Sequence, residues 1–552
     1  MELTILLCFA AYTLLLFLVM WLTGRRGAKG NEAFFRAGRK SPWPVVAYGM
    51  IGASLSGVTF MSVPGDVLAN KWFYMPMVLG YVLGYATIAL VLLPLYYRLN
   101  LTSIYTYLSQ RFGLRSERTG ALFFIISRLL GSALRMYLVV FVLYEFVFSA
   151  WGIPFWVPAV VFIAIILLYT FAGGIKTVVW TDTLQTTFLI LAAVATVVAI
   201  LGNLDMSLPE LLRTSSDQGY TQMFNTDPMA PKFWLKQVLA GMFITITMTG
   251  LDQDMMQKNL TCKTLRDAQK NVMTSSLLFI VVNIVFLCLG AALIAYATQT
   301  GFELPTGADG RVVGDKIFPA IAFSLNGFTA VCFVLGIVAA GYSSADGTLT
   351  ALTTTFCYDF LGFDKVESGK RKVESGERRV ESGERRVESG EWRVESGEWR
   401  TENGEWRVES GERRVENGEH MVGSARSSLS TLRSPLSTLK IRRIVHVSFA
   451  LLYLLIIIAF RPFHSDSLIT IIFDVAGFTY GPLLGLYAFG LFTKRGVNDR
   501  LVPYIAVASP VICYFLKLFS PTWFGYTFGF EILLLNGLIT FLLLLLAKPK
   551  HE

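Results

Sequence analysis

The stretch Ala340-Gly341-Tyr342-Ser343-Ser344-Ala345-Asp346-Gly347 places hydroxyls and a carboxylate inside an apolar run of roughly 317–360. Apolar side chains fill a lipid-facing helix at lower free energy, so polar groups there face a bundle interior or water and often mark ion paths. Ser343 and Asp346 are three apart and share a helical face. Their oxygens are hard ligands suited to a hard cation such as Na⁺. Small residues that let helices pack closely, with serines bonding across the contact, are the bland alternative. Asp346 weighs against it.

Other polar positions interrupt other apolar runs. Gly52-Ala53-Ser54-Leu55-Ser56-Gly57-Val58-Thr59 brackets serines between glycines, a pattern that can unwind and present carbonyl oxygens. Thr245, Thr247, Thr249, Gly250, Asp252, Gln253 and Asp254 end another run, where solvation at the inner surface accounts for the acids. Arg135 lies about 17 residues past Arg118, roughly 25 Å along a helix at 1.5 Å per residue, near mid-bilayer. It requires a partner, either Glu145, a backbone carbonyl or an anionic solute that a guanidinium grips in two places. Arg128 lies nearer the inner end and reads as structural. Asp182 sits a turn or two into its run, as a solvated helix end or an ion ligand.

The elements that position these groups are membrane helices. Of 552 residues, 54% are hydrophobic, with a mean hydropathy of +0.54. Repeated apolar runs of about 20 residues specify an all-α polytopic membrane protein. Thirteen spans are expected, near 3–23, 43–69, 72–98, 118–148, 153–172, 177–202, 233–256, 271–298, 314–361, 443–461, 466–492, 499–518 and 525–547, the ninth with a polar lead-in. The first reads as a retained anchor (1–24). Basic residues then fall on one side: Arg25 to Lys40; Arg98, Arg111, Arg115 and Arg118; Lys258, Lys263, Arg266 and Lys270; Lys494, Arg495 and Arg500. The N-terminus is therefore expected outside and the C-terminus inside a cell (inner) membrane. The net charge of +9 reflects these loops and gives no reason to expect a nucleic-acid partner. Six single cysteines and four histidines form no metal or disulfide pattern.

Residues 365–422 repeat Val-Glu-Ser-Gly-Glu-Arg-Arg with a period of seven. One apolar residue per repeat builds no coiled-coil seam, and glycine disfavours helix. A low-complexity cytoplasmic insertion, continuing to 438, is expected.

Gly173-Gly174-Ile175-Lys176-Thr177-Val178-Val179-Trp180-Thr181-Asp182-Thr183-Leu184-Gln185, Asp252-Gln253-Asp254-Met255-Met256-Gln257 and Ala340 to Asp346 together resemble the sodium:solute symporter family. The resemblance spans about 30–500, the repeat excluded. It implies a LeuT-type fold of two inverted five-helix repeats: 43–202, and 233–492 interrupted by 365–438, followed by two further helices in 499–547. It implies a co-transported Na⁺ on the carbonyls of Gly52, Leu55 and Ala340 and the hydroxyls of Ser343 and Ser344. A second sodium would use Asp182, Ser343 and Asp346, although Asp346 and Gly347 stand where that site's serines would. The sialic acid branch contacts substrate through span-two Ser and Thr and a span-four Arg, here Ser54, Ser56, Thr59 and Arg135. A glutamine of that branch has no match, since 78–85 carries tyrosines.

The reading is a sodium-coupled symporter for a small organic solute, an anionic sugar acid such as sialic acid. Alternatives are sodium or proton coupling to a neutral sugar or other metabolite, or a transporter-like sensor. No Gly-x-Ser-x-Gly or His-Glu-x-x-His motif suggests an enzyme. The expected partners are the solute and the bilayer.

Deleting 366–422 should leave membrane insertion and the melting temperature of the purified protein unchanged, because such a composition buries no core. Failure of the shortened chain to insert is the contrary outcome.

Overall fold

A computed structural model describes residues 2–25, 31–230, 232–307, 310–363, 435–461 and 468–547. The heptad repeat expected to be disordered lies outside the described residues. The chain divides into two units, Met1–Phe356 with Val445–Glu552, and Cys357–Ile444. In the second unit the Tyr358 and Phe363 rings pack with centroids 6.5 Å apart, and Gly362 donates its N–H to the Tyr358 carbonyl. Everything below concerns the first unit.

Its regular elements among the described residues are helices, with isolated bridges at Ser41–Cys262 and Thr306–Val312. In chain order the apolar helices are α1 (Glu2–Arg25), α2 (Trp43–Ser54), α3 (Gly57–Asn70), α4 (Met75–Arg98), α5 (Leu114–Trp151), α6 (Trp156–Gly173), α7 (Ile175–Asn203), α8 (Trp234–Gly250), α9 (Gln253–Asn259), α10 (Leu265–Thr300), α11 (Gly314–Leu325), α12 (Gly327–Phe360), α13 (Pro435–Ala459), α14 (Leu468–Phe492), α15 (Val502–Phe524) and α16 (Ile532–Leu546). Among the described residues nine are long and apolar enough to cross a membrane, and eleven spans result if α2–α3 and α8–α9 each count as one. The part of α6 within 156–171 and α16 are shorter apolar helices, and both coincide with expected spans. The ninth span differs from its expectation. Asn326, extended at φ −164°, splits it, and its side chain accepts the Thr329 N–H at 2.8 Å to start α12. The polar lead-in is thus a separate helix, α11, whose Gly314 lies against Gly65 of α3.

The bends are 62° between α2 and α3 and 72° between α8 and α9. Both stand at the residues where the glycine-serine and threonine-aspartate patterns interrupt apolar sequence. α7 packs against both α2 and α12. Gly52 permits this approach: a Cβ there would overlap the Thr186 hydroxyl, which accepts the Gly52 N–H at 3.0 Å.

The basic loops meet at one end of the molecule. Arg36 donates to Thr102 and Asn100, Ser41 donates its N–H to the Thr261 carbonyl, and Arg111 donates to the carbonyls of Thr493 and Arg495. At helix ends in other loops, Lys232 pairs with Asp66 and Lys316 with Glu145.

α4 and α8 cross through reciprocal glycines. A Cβ on Gly80 would overlap the Val238 carbonyl oxygen, and one on Gly241 the Met77 carbonyl oxygen. Small residues allow such contact without lipid between helices. Gly80→Val should therefore cost about 1–3 kcal/mol from overpacking and lower the melting temperature in detergent. Gly202→Ala, with nothing within 4 Å, should be neutral or stabilising. Equal melting of Gly80→Val and wild type would contradict the crossing.

Candidate functional site

The two helix breaks are chemically different. At α8–α9 the freed backbone groups are claimed. Tyr96 donates its hydroxyl to the Gly250 carbonyl at 2.8 Å and Tyr105 to the Leu251 carbonyl at 2.9 Å. The Asp252 carboxylate accepts the N–H groups of Asp254 and Met255 at 2.9 and 3.2 Å, capping α9. At α2–α3 the Leu55 N–H bonds Ile51 and the Ser56 carbonyl bonds Phe60. Among the described residues no donor reaches the carbonyls of Gly52, Ala53, Ser54 or Leu55, and Ser56 caps α3 without a side-chain bond. Four acceptors thus stay open at a buried break, where hydrocarbon would penalise them by several kcal/mol each.

α12 supplies the hydroxyls. Ser343 and Ser344 are buried. Ser343 donates to Asp182 Oδ1 of α7 at 2.6 Å. Among the described residues the Ser344 hydroxyl has no hydrogen-bond partner, while its carbonyl accepts from Ser132 and Thr348 at 3.0 and 2.7 Å. Ser132 also exchanges hydrogen bonds with Tyr453, tying α5, α12 and α13. Asp346 accepts from Tyr169 at 2.8 Å, from Thr181 and Gln185 at 3.4 Å each, and from the Gly347 N–H at 2.6 Å. Among the described residues no ammonium or guanidinium pairs with it.

Charged groups fill the space next to these helices. Lys258 Nζ lies 2.9 Å from Asp182 Oδ2 and 3.5 Å from Asp254 Oδ1. Arg128 binds Asp254 and lies 3.7 Å from Asp252, whose other partner is the Tyr480 hydroxyl of α14. All are at most 3% exposed. This overturns two expectations. Asp252 and Asp254 are not solvated at a surface but neutralised in the interior. Lys258 is not a loop cation but a buried one.

Arg135, two turns further along the same face of α5, lines a small pocket with Arg128, Ser132, Met248, Ile472 and Tyr480. It has no hydrogen bond or ion pair among the described residues, and Glu145 is bonded to Lys316 at 2.7 Å instead. Gly57 faces the backbone carbonyl of Arg135 and the Val139 side chain. The α2–α3 break therefore lies beside the Arg135 turn, although the cavity lining does not include Ser54, Ser56 or Thr59.

A model of the sodium:solute symporter family matches residues 34–380. The chain belongs to the sodium:solute symporter family. It is 27% identical to the sodium/sialic acid symporter NanT of Aliivibrio fischeri over 62% of its length, and 27% identical to SiaT of Proteus mirabilis over 60%. Each alignment spans 66% of the relative, just under two thirds. A solved Na⁺-coupled sialic acid symporter, in a substrate-bound outward-open state, superposes with a TM-score of 0.74 at 20% identity, covering 99% of this chain and 98% of that one. That likeness gives the fold, the LeuT-type core expected from the sequence.

Sequence reading missed the ion-pair ladder of the bundle's interior. One signal was available: Asp254 and Lys258 are four apart on α9, the spacing of a helical ion pair. Removing Arg128 leaves buried Asp252 without a cation and Asp254 with Lys258 alone, and breaking a buried pair costs about 3–5 kcal/mol. Arg128→Met should sharply reduce folded yield and melting temperature. Adding Asp252→Asn and Asp254→Asn should recover part of the loss. Wild-type melting of the single variant would show that the pair carries no stability.

Proposed function

We propose that this symporter carries a small organic anion inward with Na⁺ by alternating access, with a sugar acid such as sialic acid as the solute. The observation that carries the reading is the set of open carbonyls at the α2–α3 break, in a helix that packs against α12 with its unpartnered Ser344 hydroxyl. Na⁺ is assigned to the carbonyls of Gly52, Leu55 and Ala340 and the hydroxyls of Ser343 and Ser344. These neutral hard oxygens suit a hard monovalent ion. Ser343 can offer the ion a lone pair while its O–H remains donated to Asp182 Oδ1.

The solute is assigned to Arg135 with Ser54, Ser56 and Thr59. An unpartnered guanidinium in a cavity calls for a carboxylate, and the sialic acid symporters among the relatives carry such a solute. The inverted repeats are assigned to 43–202 and 233–492. The protein is a multi-pass membrane transporter rather than an enzyme. Its basic loops are assigned to the inside of a cell (inner) membrane, which puts the N-terminus outside and the C-terminus inside. Proton coupling is the second reading, favoured by Asp346, which has four donors around it and, among the described residues, no cationic partner.

In proteoliposomes with N-acetylneuraminate as probe, an inward Na⁺ gradient should drive accumulation, and a proton gradient alone should not. Ser343→Ala and Ser344→Ala should each raise the Na⁺ concentration for half-activation about tenfold or more, as expected for losing one contact to a charge. Arg135→Lys should insert normally yet bind the probe poorly, since the planar fork is lost. Unchanged Na⁺ dependence in both serine variants would remove the ion assignment. Unchanged probe affinity in Arg135→Lys would remove the solute assignment.

A further inference from the structure

Both oxygens of Asp182 face groups of the chain itself, one through a hydrogen bond and the other across an ion-pair distance. Oδ1 accepts the Ser343 hydroxyl at 2.6 Å, and Oδ2 lies 2.9 Å from the Lys258 ammonium. Lys258 reaches this point from α9 with its side chain 1% exposed. Its second neighbour, Asp254 Oδ1 at 3.5 Å, is shared with Arg128 through the other oxygen of the same carboxylate. A buried ammonium with two carboxylates around it is a fixed monovalent cation.

A separate observation concerns the space. Gly347 of α12 faces this ammonium. A Cβ at 347 would lie 2.8 Å from Lys258 Nζ and would overlap Asp254 Oδ1. Any side chain on Gly347, including a hydroxyl-bearing one that could ligate a metal ion, would displace the ammonium. The absence of a side chain at 347 and the presence of a lysine at 258 are therefore two halves of one arrangement. It delivers a positive charge to Asp182, the carboxylate directly behind the candidate sodium ligand Ser343.

We propose that the Lys258 ammonium is a permanent internal counter-ion that takes the place of a second sodium ion at Asp182, so that the symporter binds a single sodium ion. Like a sodium ion there, the ammonium keeps Asp182 ionised and able to accept the Ser343 proton. That leaves a lone pair of Ser343 directed to the one mobile ion. Unlike a sodium ion, it is covalently attached and cannot leave with the solute. The inference rests on the sodium-coupled reading above.

The test is the number of radiolabelled sodium ions bound at saturation by the purified full-length chain, with Na⁺ alone as the probe. One ion is expected for wild type, two for Lys258→Gln, which uncovers Asp182, and one for Lys258→Gln combined with Asp182→Asn. A purely structural lysine would alter stability in these variants but not the count. A folded Lys258→Gln variant that binds one ion overturns the proposal. If that variant does not fold, wild type and Asp182→Asn decide. One ion in both supports the fixed counter-ion. Two in wild type falling to one in Asp182→Asn overturns it. Wild type binding no sodium removes the sodium reading itself, and the counter-ion with it, a result distinct from binding two.

Discussion

Charge neutralisation inside a low-dielectric interior is the constraint on which the rest of this molecule depends. Asp182, Asp252, Asp254 and Asp346 are buried carboxylates, and Arg128 and Lys258 are the buried cations paired among them. Desolvating each of these ions costs several kcal/mol, which only close, hydrogen-bonded partners offset. The geometry of five helices follows from that need. α9 must turn away from α8 for Asp254 to reach Arg128 and for Lys258 to reach Asp182. α5, α7 and α14 must approach closely enough to supply Arg128, Asp182 and Tyr480. Gly347 must lack a side chain for the ammonium to fit. Apolar packing holds the helices in a bundle, but it is non-directional, and the ion pairs set which faces meet.

The contrast between the two breaks shows how one motif serves two purposes. Unwinding a helix inside a bundle exposes backbone groups that must be satisfied. At α8–α9 two tyrosine hydroxyls and an aspartate cap do this internally, and the break is complete without a ligand. At α2–α3 the carbonyls are left to something outside the chain. The same backbone operation thus yields a structural corner at one break and a candidate ion cradle at the other.

The sequence made much of this legible, because the signals were local. The apolar runs, the glycine-serine and threonine-aspartate interruptions, and the clustering of basic loops at one end all follow from composition and spacing. The split of the ninth span at Asn326 was less visible, since a single capping residue interrupts otherwise apolar sequence. The ladder was not legible for a different reason. Asp252 and Asp254 are read by their nearness to the end of an apolar run, and Lys258 by its company of loop lysines. Each assignment assumed that distance along a span equals depth. The bend of 72° between α8 and α9 breaks that equality, folding the polar end of the run back into the bundle.

A charge that cannot leave has an electrical consequence. The membrane potential does work on charges that cross it, about 2.3 kcal/mol per elementary charge for each 100 mV. An ammonium anchored to α9 moves only as far as its helix moves, so the voltage does little work on it through the cycle. If Lys258 supplies the second positive charge from within, the mobile cargo is one cation and one carboxylate, whose charges cancel. Such a cycle draws its energy from the sodium concentration difference alone. It would run at the same thermodynamic limit in a depolarised cell as in an energised one.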